Sequence, residues 1–190
     1  MSAVNLFLIS LALSCVGGVV SIVLKRAENA SKTVGCVFGA LAALFGFGSA
    51  LAAVFGPAEL VSVATPFSFA SFTLLFNPLA GLLVGVISLL AFAAWIYGLT
   101  YLDEYRGKGI GVMGFFMNFF VASMNLVICS DNAFWFLVFF ELMSLTSYFL
   151  VIIEQDEKSI RGGFLYLIMA HVGFLLIMIA FFTMAGITGS

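Results

Sequence analysis

Six long apolar runs constrain the fold of this chain more than any other feature of its sequence. Each has about 20 residues, the length that a helix needs to cross the roughly 30 Å hydrocarbon core of a bilayer. They are Val4–Leu24, Val34–Phe55, Leu79–Tyr101, Ile110–Cys129, Ala133–Ile153 and Gly163–Ala185. Because lipid offers no partners for peptide groups, such runs must be helical. The sequence therefore predicts an all-α, polytopic bundle of six transmembrane helices, with residues 1–190 as a single membrane domain.

Composition supports a lipid environment and excludes several other classes. The chain is 64% hydrophobic and 8% charged, whereas soluble domains are about 25% charged. It has no phosphate loop, dinucleotide fingerprint or basic patch for nucleic acid. Its cysteines, Cys15, Cys36 and Cys129, lack the spacing of a metal site. The first apolar run lacks a preceding cationic region, so we expect a permanent helix there and not a cleaved signal.

The basic residues predict how the helices cross the membrane. All seven lie in three loops, which follow the first, third and fifth helices. They are Lys25, Arg26, Lys32, Arg106, Lys108, Lys158 and Arg161. With six helices these loops share one side of the bilayer, and the positive-inside rule makes that side cytoplasmic. Both ends of the segment are then predicted to be extracytoplasmic.

The nearly uncharged stretch 57–76 is predicted to be a loop. It is interrupted by Pro57 and Pro66, and large and small side chains alternate from Pro66 to Phe72. Alternation with period two is typical of a strand. A seventh crossing here would also divide the basic residues between both sides of the membrane. We therefore predict an extracytoplasmic loop with a short hairpin.

Glu141 is the one charged residue in the apolar run Ala133–Ile153. A charge at the centre of a membrane helix costs about 2.5 kcal/mol or more, and a protein that retains one commonly uses it. Ser144 and Tyr148 share its helix face, where their hydroxyls can bond a carboxylate or hold water. Two interpretations stay open: a proton-loading site on an internal water path, and an acid that specifies helix packing. We favour the first, because a buried acid is a poor means of holding helices together.

Three further candidates are found among the polar residues of the apolar runs. An imidazole ordinarily changes charge close to neutral pH, so His171 in the sixth run can relay protons, or it can be a fixed hydrogen-bond partner. Asn118 and Asn125 are seven residues apart in the fourth run and so share a helix face. They either line a hydrated channel or bond neighbouring helices. We count all three, with Glu141 and its two hydroxyl neighbours, as candidate residues for proton or ion translocation.

The segments Met113–Asn118, Val121–Met124, Asp131–Phe136 and Phe140–Leu150 carry a resemblance to a known family. They resemble the antiporter-like membrane subunits shared by respiratory complex I, Mrp-type cation/proton antiporters and energy-converting hydrogenases. Within that family the chain is most similar to the hydrogenase-4 component B branch. The resemblance implies a membrane subunit that couples redox chemistry in partner subunits to proton or sodium movement.

The resemblance also implies roles for single positions. In the family, the acid at the position of Glu141 works opposite a lysine on a broken seventh helix. Since Ser190 precedes any such helix, we expect an N-terminal part of a longer subunit or one half of a split one. Complex I members usually carry Trp before the acid, and Phe140 here favours the hydrogenase branch. The acidic residue common ahead of the third helix is replaced by Asn77.

The partners implied are the bilayer of a bacterial or archaeal plasma (inner) membrane, other membrane-arm subunits with the missing C-terminal helices, and soluble hydrogenase or electron-transfer subunits. Nickel–iron and iron–sulfur centres are expected in those partners and no cofactor in this chain. Two alternatives remain: part of a stand-alone Mrp-type antiporter, and a non-transporting anchor for redox subunits. The acid at mid-membrane disfavours an anchor, and the missing lysine-bearing helix disfavours a self-sufficient transporter.

Overall fold

The computed structural model describes residues 2–63 and 71–188, and over these ranges it contains six helices long and apolar enough to span a membrane. They are α1 (Ala3–Val23), α2 (Glu28–Phe55), α3 (Pro78–Tyr101), α4 (Ile110–Cys129), α5 (Ala133–Val151) and α6 (Glu157–Thr188). Two short strands, β1 (Glu59–Val63) and β2 (Phe72–Phe76), lie between α2 and α3. The predicted all-α, multi-pass membrane fold is confirmed.

The helices pack in a bundle that extends sideways at α5 and α6. α1 packs against α2 and α4, α2 also packs against α3, and α5 connects α4 to α6. The interior of the first four helices is lined mainly by alanine, glycine and serine, which let helix backbones approach closely. α6 packs mainly against α5 and therefore presents a broad apolar surface to its surroundings.

The two strands form an antiparallel hairpin at one end of the bundle, with Glu59 opposite Phe76. Residues 64–70 lie outside the described residues, so most of the alternating stretch predicted from Pro66 to Phe72 does too. The hairpin is fastened to the helices: Phe76 packs edge-on against Phe7 at 4.8 Å, and Thr73 accepts a hydrogen bond from the Asp131 amide at 3.1 Å. This end also holds the start of α1.

Basic residues of different segments lie together at the opposite end of the bundle. Lys32 Nζ lies 2.7 Å from Asp103 Oδ1, and Arg106 Nη2 lies 3.0 Å from the same oxygen. The Gly107 amide donates to Glu28 Oε1 at 3.0 Å. These contacts join the start of α2 to the segment after α3, so both lie at one end of the bundle. Asp103 is thus the acid that Lys32 and Arg106 share.

Capping residues determine where several helices begin. The Asn77 side chain accepts from the Ala80 amide at 2.8 Å, with Pro78 in the first turn of α3. Asn is among the residues preferred at an N-cap, so Asn77 helps to determine where α3 begins. Asp156 likewise accepts from the Ser159 amide at 2.8 Å. Hydrogen bonds from Ser159 hold the pKa of Asp156 below its usual range.

One glycine allows the closest contact between α2 and α3. A Cβ atom at Gly39 would lie 2.2 Å from the indole of Trp95, which is only 3% exposed and cannot move aside. At Gly48, in the same helix, the nearest atom would be 3.8 Å away, an ordinary contact.

We expect Gly39→Ala to lower the stability of the protein by about 1–3 kcal/mol through overpacking. Gly48→Ala, the matched control, should be neutral or raise stability by about 0.5–1 kcal/mol, since alanine favours a helix. Thermal unfolding of both variants in the same lipid nanodiscs measures the difference. Equal melting temperatures would show that Trp95 does not pack on Gly39.

The separation of the two ends predicts a labelling pattern in intact cells. With Cys15, Cys36 and Cys129 replaced by alanine, a Ser71→Cys variant at the hairpin end should react with an external, membrane-impermeant maleimide. A Glu104→Cys variant at the basic end should react only after the cells are opened, because basic loops remain in the cytoplasm. Reversed labelling would refute this orientation.

Candidate functional site

Glu141 and His171 meet between α5 and α6. Glu141 lies near the middle of α5, and its Oε1 is 2.8 Å from Nε2 of His171 in α6. The other ring nitrogen of His171, Nδ1, lies 2.8 Å from the Leu167 carbonyl oxygen one turn earlier. The side chain of His171 is 45% exposed and that of Glu141 is 31% exposed at the surface of the described bundle. The acid thus has a partner that becomes a cation on protonation.

The pair lies beside a groove of about 580 Å³ between α5 and α6. The groove is apolar except for Glu141, and its other lining residues are Phe134, Leu137, Val138, Leu142, Leu145, Phe174, Met178 and Phe182. The second carboxylate oxygen, Glu141 Oε2, is buried and has no hydrogen-bond partner among the described residues. An unpaired buried acceptor favours a water, a proton or another donor at this position.

The two hydroxyl residues predicted beside Glu141 do not bond its carboxylate. Ser144 is buried, and its hydroxyl donates to the backbone carbonyl of Glu141 at 3.0 Å. Tyr148 lies toward the basic end, where its ring faces Gly163 of α6. Within the described part of the chain, His171 is the residue that contacts the Glu141 carboxylate.

Asn118 and Asn125 lie in α4 and are buried, 0% and 4% exposed. The Asn118 amide donates to the Gly114 carbonyl at 2.8 Å and to the Gly35 carbonyl of α2 at 3.4 Å. Its Oδ1 would lie 3.5 Å from a Cβ at Gly17 of α1. The structure therefore places Asn118 among α1, α2 and α4, away from the Glu141–His171 contact. The Oδ1 atoms of both asparagines lack a partner among the described residues, which leaves an acceptor for water at each.

The sequence identifies Glu141 and His171 as candidates, but it does not show that their side chains contact each other. The spacing of the two residues could have indicated that they lie at the same level. Glu141 lies fifteen positions before Asp156 and His171 fifteen positions after it, and Asp156 lies in the short loop between α5 and α6. In an antiparallel helix pair, residues equally far from the loop lie level with one another. Their rotation about the helix axes, by contrast, depends on how the helices pack.

A second polar contact between α5 and α6 was not predicted from the sequence. The hydroxyl groups of Ser147 and Tyr166 lie 2.5 Å apart. Ser147 is about 120° from Glu141 around α5. The two polar contacts therefore lie on opposite edges of the interface between the helices.

Comparisons with known proteins show which family the chain belongs to. A family described as "NADH:quinone oxidoreductase/Mrp antiporter, TM" matches residues 130–190, which include α5 and α6. Hydrogenase-4 component B of Escherichia coli (strain K12) is 54% identical over 127 residues, which are 67% of this chain and 19% of that protein. The chain belongs to the antiporter-like membrane subunit family. The resemblance read from the sequence is confirmed.

More distant relatives extend the match. Uncharacterized proteins from two strains of Mycobacterium tuberculosis, CDC 1551 / Oshkosh and ATCC 25618 / H37Rv, are each 28% identical over 164 residues. These residues are 85% of this chain and 25% of each relative. The chain thus spans about a fifth to a quarter of the length of the curated relatives it matches.

Exchanging the two residues of the pair tests their contact. His171→Glu alone would oppose two carboxylates, and Glu141→His alone would oppose two imidazoles, so each should destabilise the protein. The double variant restores an acid and an imidazole, and we expect a favourable coupling of about 0.5–3 kcal/mol. Melting temperatures of the four proteins in nanodiscs give this coupling. Additive losses in the double variant would mean that the side chains do not interact.

Proposed function

We propose that this chain is an ion-translocating part of the membrane arm of a hydrogenase-4-type or related energy-converting respiratory complex. In this proposal Glu141 loads and releases a proton, or a sodium ion, while partner subunits carry out redox chemistry. The observation that carries the proposal is a carboxylate at the middle of a membrane helix, paired with an imidazole and with one oxygen unpartnered. Ionisable residues at such depth commonly belong to ion or proton pathways.

The remaining parts of the proposal follow from this role. The chain itself breaks no covalent bond of a substrate, and nickel–iron and iron–sulfur centres belong to soluble hydrogenase and electron-transfer subunits. The membrane is the bacterial or archaeal plasma membrane, with the basic loops in the cytoplasm. Further membrane-arm helices cover the exposed face of α6. The name of the Escherichia coli relative supports the hydrogenase assignment.

A part of a stand-alone Mrp-type antiporter is the second candidate, since the matching family description names that class. Both candidates use Glu141 in the same way and differ in the source of energy. Purification of the protein from its native membrane distinguishes them: a hydrogenase large subunit that co-purifies supports the first candidate. A membrane anchor without transport is disfavoured, because docking of soluble subunits needs no acid at mid-membrane.

The proposal predicts a separation of redox chemistry from ion movement. Glu141→Gln retains the size and hydrogen-bonding capacity of the side chain but cannot titrate. In the assembled complex, hydrogen turnover with an artificial electron acceptor should continue, whereas ion pumping per electron should fall to background. Ser144→Ala and Tyr148→Phe should change pumping little, because neither hydroxyl bonds the Glu141 carboxylate. Proteoliposomes in which pH change and hydrogen turnover are recorded together provide the measurement.

Glu104→Gln is the matched control, because it makes the same chemical change at an exposed position of the basic end. It should pump like the unmodified protein. Normal pumping by an intact complex that carries Glu141→Gln would contradict the proposal and make Glu141 a packing residue.

A further inference from the structure

The two hydrogen-bond partners of His171 restrict where its protons can be. A carbonyl oxygen has no proton to donate, so the 2.8 Å contact with Leu167 requires a proton on Nδ1. With a bare Nδ1, two lone pairs would face each other at that distance. This assignment rests on the partner and not on an observed hydrogen. His171 is therefore fixed as the tautomer that leaves Nε2 to face Glu141.

Two protonation states fit the contact between Nε2 and Glu141, and each holds one shared proton. Either a protonated imidazole donates from Nε2 to a carboxylate, or a carboxylic acid donates from Oε1 to a neutral Nε2. Without that proton, the lone pair of Nε2 would face a negative oxygen at 2.8 Å. Loss of the proton therefore breaks the contact.

We infer that Glu141 and His171 bind one proton as a unit, which enters and leaves at Glu141 Oε2. Nδ1 is occupied by the Leu167 carbonyl, so the imidazole cannot pass a proton from one ring nitrogen to the other. Oε2 is the oxygen that has no partner among the described residues, so it can take up a proton. The carboxyl group then turns over, and the protonated oxygen comes to face Nε2. Uptake adds one proton and changes the charge of the pair from −1 to zero. His171 is thus a positioning residue with one active nitrogen and not a relay.

Among the described residues, no other Asp, Glu, Lys, Arg or His lies in the spanning parts of the helices packed around the pair. The other titratable side chains in the spanning parts of the helices packed around it are Cys129 of α4, Tyr148 of α5 and Tyr166 of α6. Glu157, Lys158 and Arg161 lie at the start of α6, about 15 Å or more along the helix from His171. The charge of the pair therefore changes mainly with its own proton.

The shared proton also holds one edge of the α5–α6 interface closed. The Ser147–Tyr166 hydrogen bond holds the opposite edge and does not depend on this proton. When the pair loses its proton, the helices can separate on the side of the groove while the other edge stays joined. The groove beside Glu141 then widens and admits water to Oε2, which provides the route for the next proton.

The test uses the fact that the chain has one histidine. The protein, purified without a histidine tag and with ¹⁵N-labelled histidine, is placed in lipid bilayers and studied by solid-state NMR across a pH series. A His171→Asn variant assigns the signals by their loss. We expect Nδ1 to carry a proton at every pH, while only the Nε2 signal titrates. A neutral state with the proton on Nε2 and a bare Nδ1 would overturn the inference.

Two further variants test whether the pair acts as a unit. Glu141→Gln should abolish titration of Nε2 over the range seen in the unmodified protein, because the amide can donate to a neutral Nε2 but takes up no proton. Tyr166→Phe, which removes only the other polar contact between the helices, should leave both nitrogen signals unchanged. An unaltered Nε2 titration in Glu141→Gln would also overturn the inference.

The transport role of this unit rests on the proposed function, but the NMR readout does not. Pumping by Glu141→Gln tests the proposed function, whereas the tautomer is observed without turnover. A failure of one experiment is therefore distinguishable from a failure of the other.

Discussion

The structure of this protein depends on the need to pair every polar group that leaves water. Lipid pairs none of the peptide groups, so the chain crosses it as helices and confines its two strands to one end of the bundle. Polar side chains follow the same rule. Ser10 donates to the Ala42 carbonyl at 2.7 Å, and Ser49 donates to the Ala3 carbonyl at 2.7 Å. Such bonds join neighbouring helices without a charge in the interior of the bundle.

Against this background the Glu141–His171 contact is unusual. The first four helices satisfy their polar groups mostly with hydroxyls and amides, whereas α5 and α6 bring an acid and an imidazole together at mid-membrane. Removal of one partner would leave the other without its hydrogen bond, which is costly away from water. The site is nevertheless placed where the bundle is most open, beside a groove and next to α6. The proposed exchange of an ion at Glu141 requires that access.

The two ends of the bundle differ in a way that suits the proposed role. At the basic end, Asp103 joins Lys32 of α2 to Arg106 in the segment after α3, at the surface predicted to face the cytoplasm. At the opposite end the hairpin packs on α1 and on the start of α5 through Phe76 and Phe72. At both ends, connecting segments are thus attached to the bundle of α1–α4. By contrast, α6 packs mainly against α5 alone.

The sequence by itself determined the number of spanning helices among the described residues, the grouping of the basic residues in three loops, and the presence of an acid within an apolar helix. These properties depend on hydrophobic length and on the order of residues along the chain, which are local. The first residues of the helices were harder to predict from the sequence. α2 and α6 begin at Glu28 and Glu157, ahead of the apolar runs, because their first turns are polar and face water.

Only the tertiary structure decided which polar residues meet. Glu141, His171 and Asn118 were all candidates for one pathway, yet the first two form a contact and Asn118 bonds the backbone of α2 and its own helix. Position along the chain sets the level of a residue in the membrane. The rotation of each helix is set by packing against its neighbours, as at Gly163, which lies against Tyr148 and Ile152. That rotation is a property of all the contacts together, and it turns His171 toward Glu141.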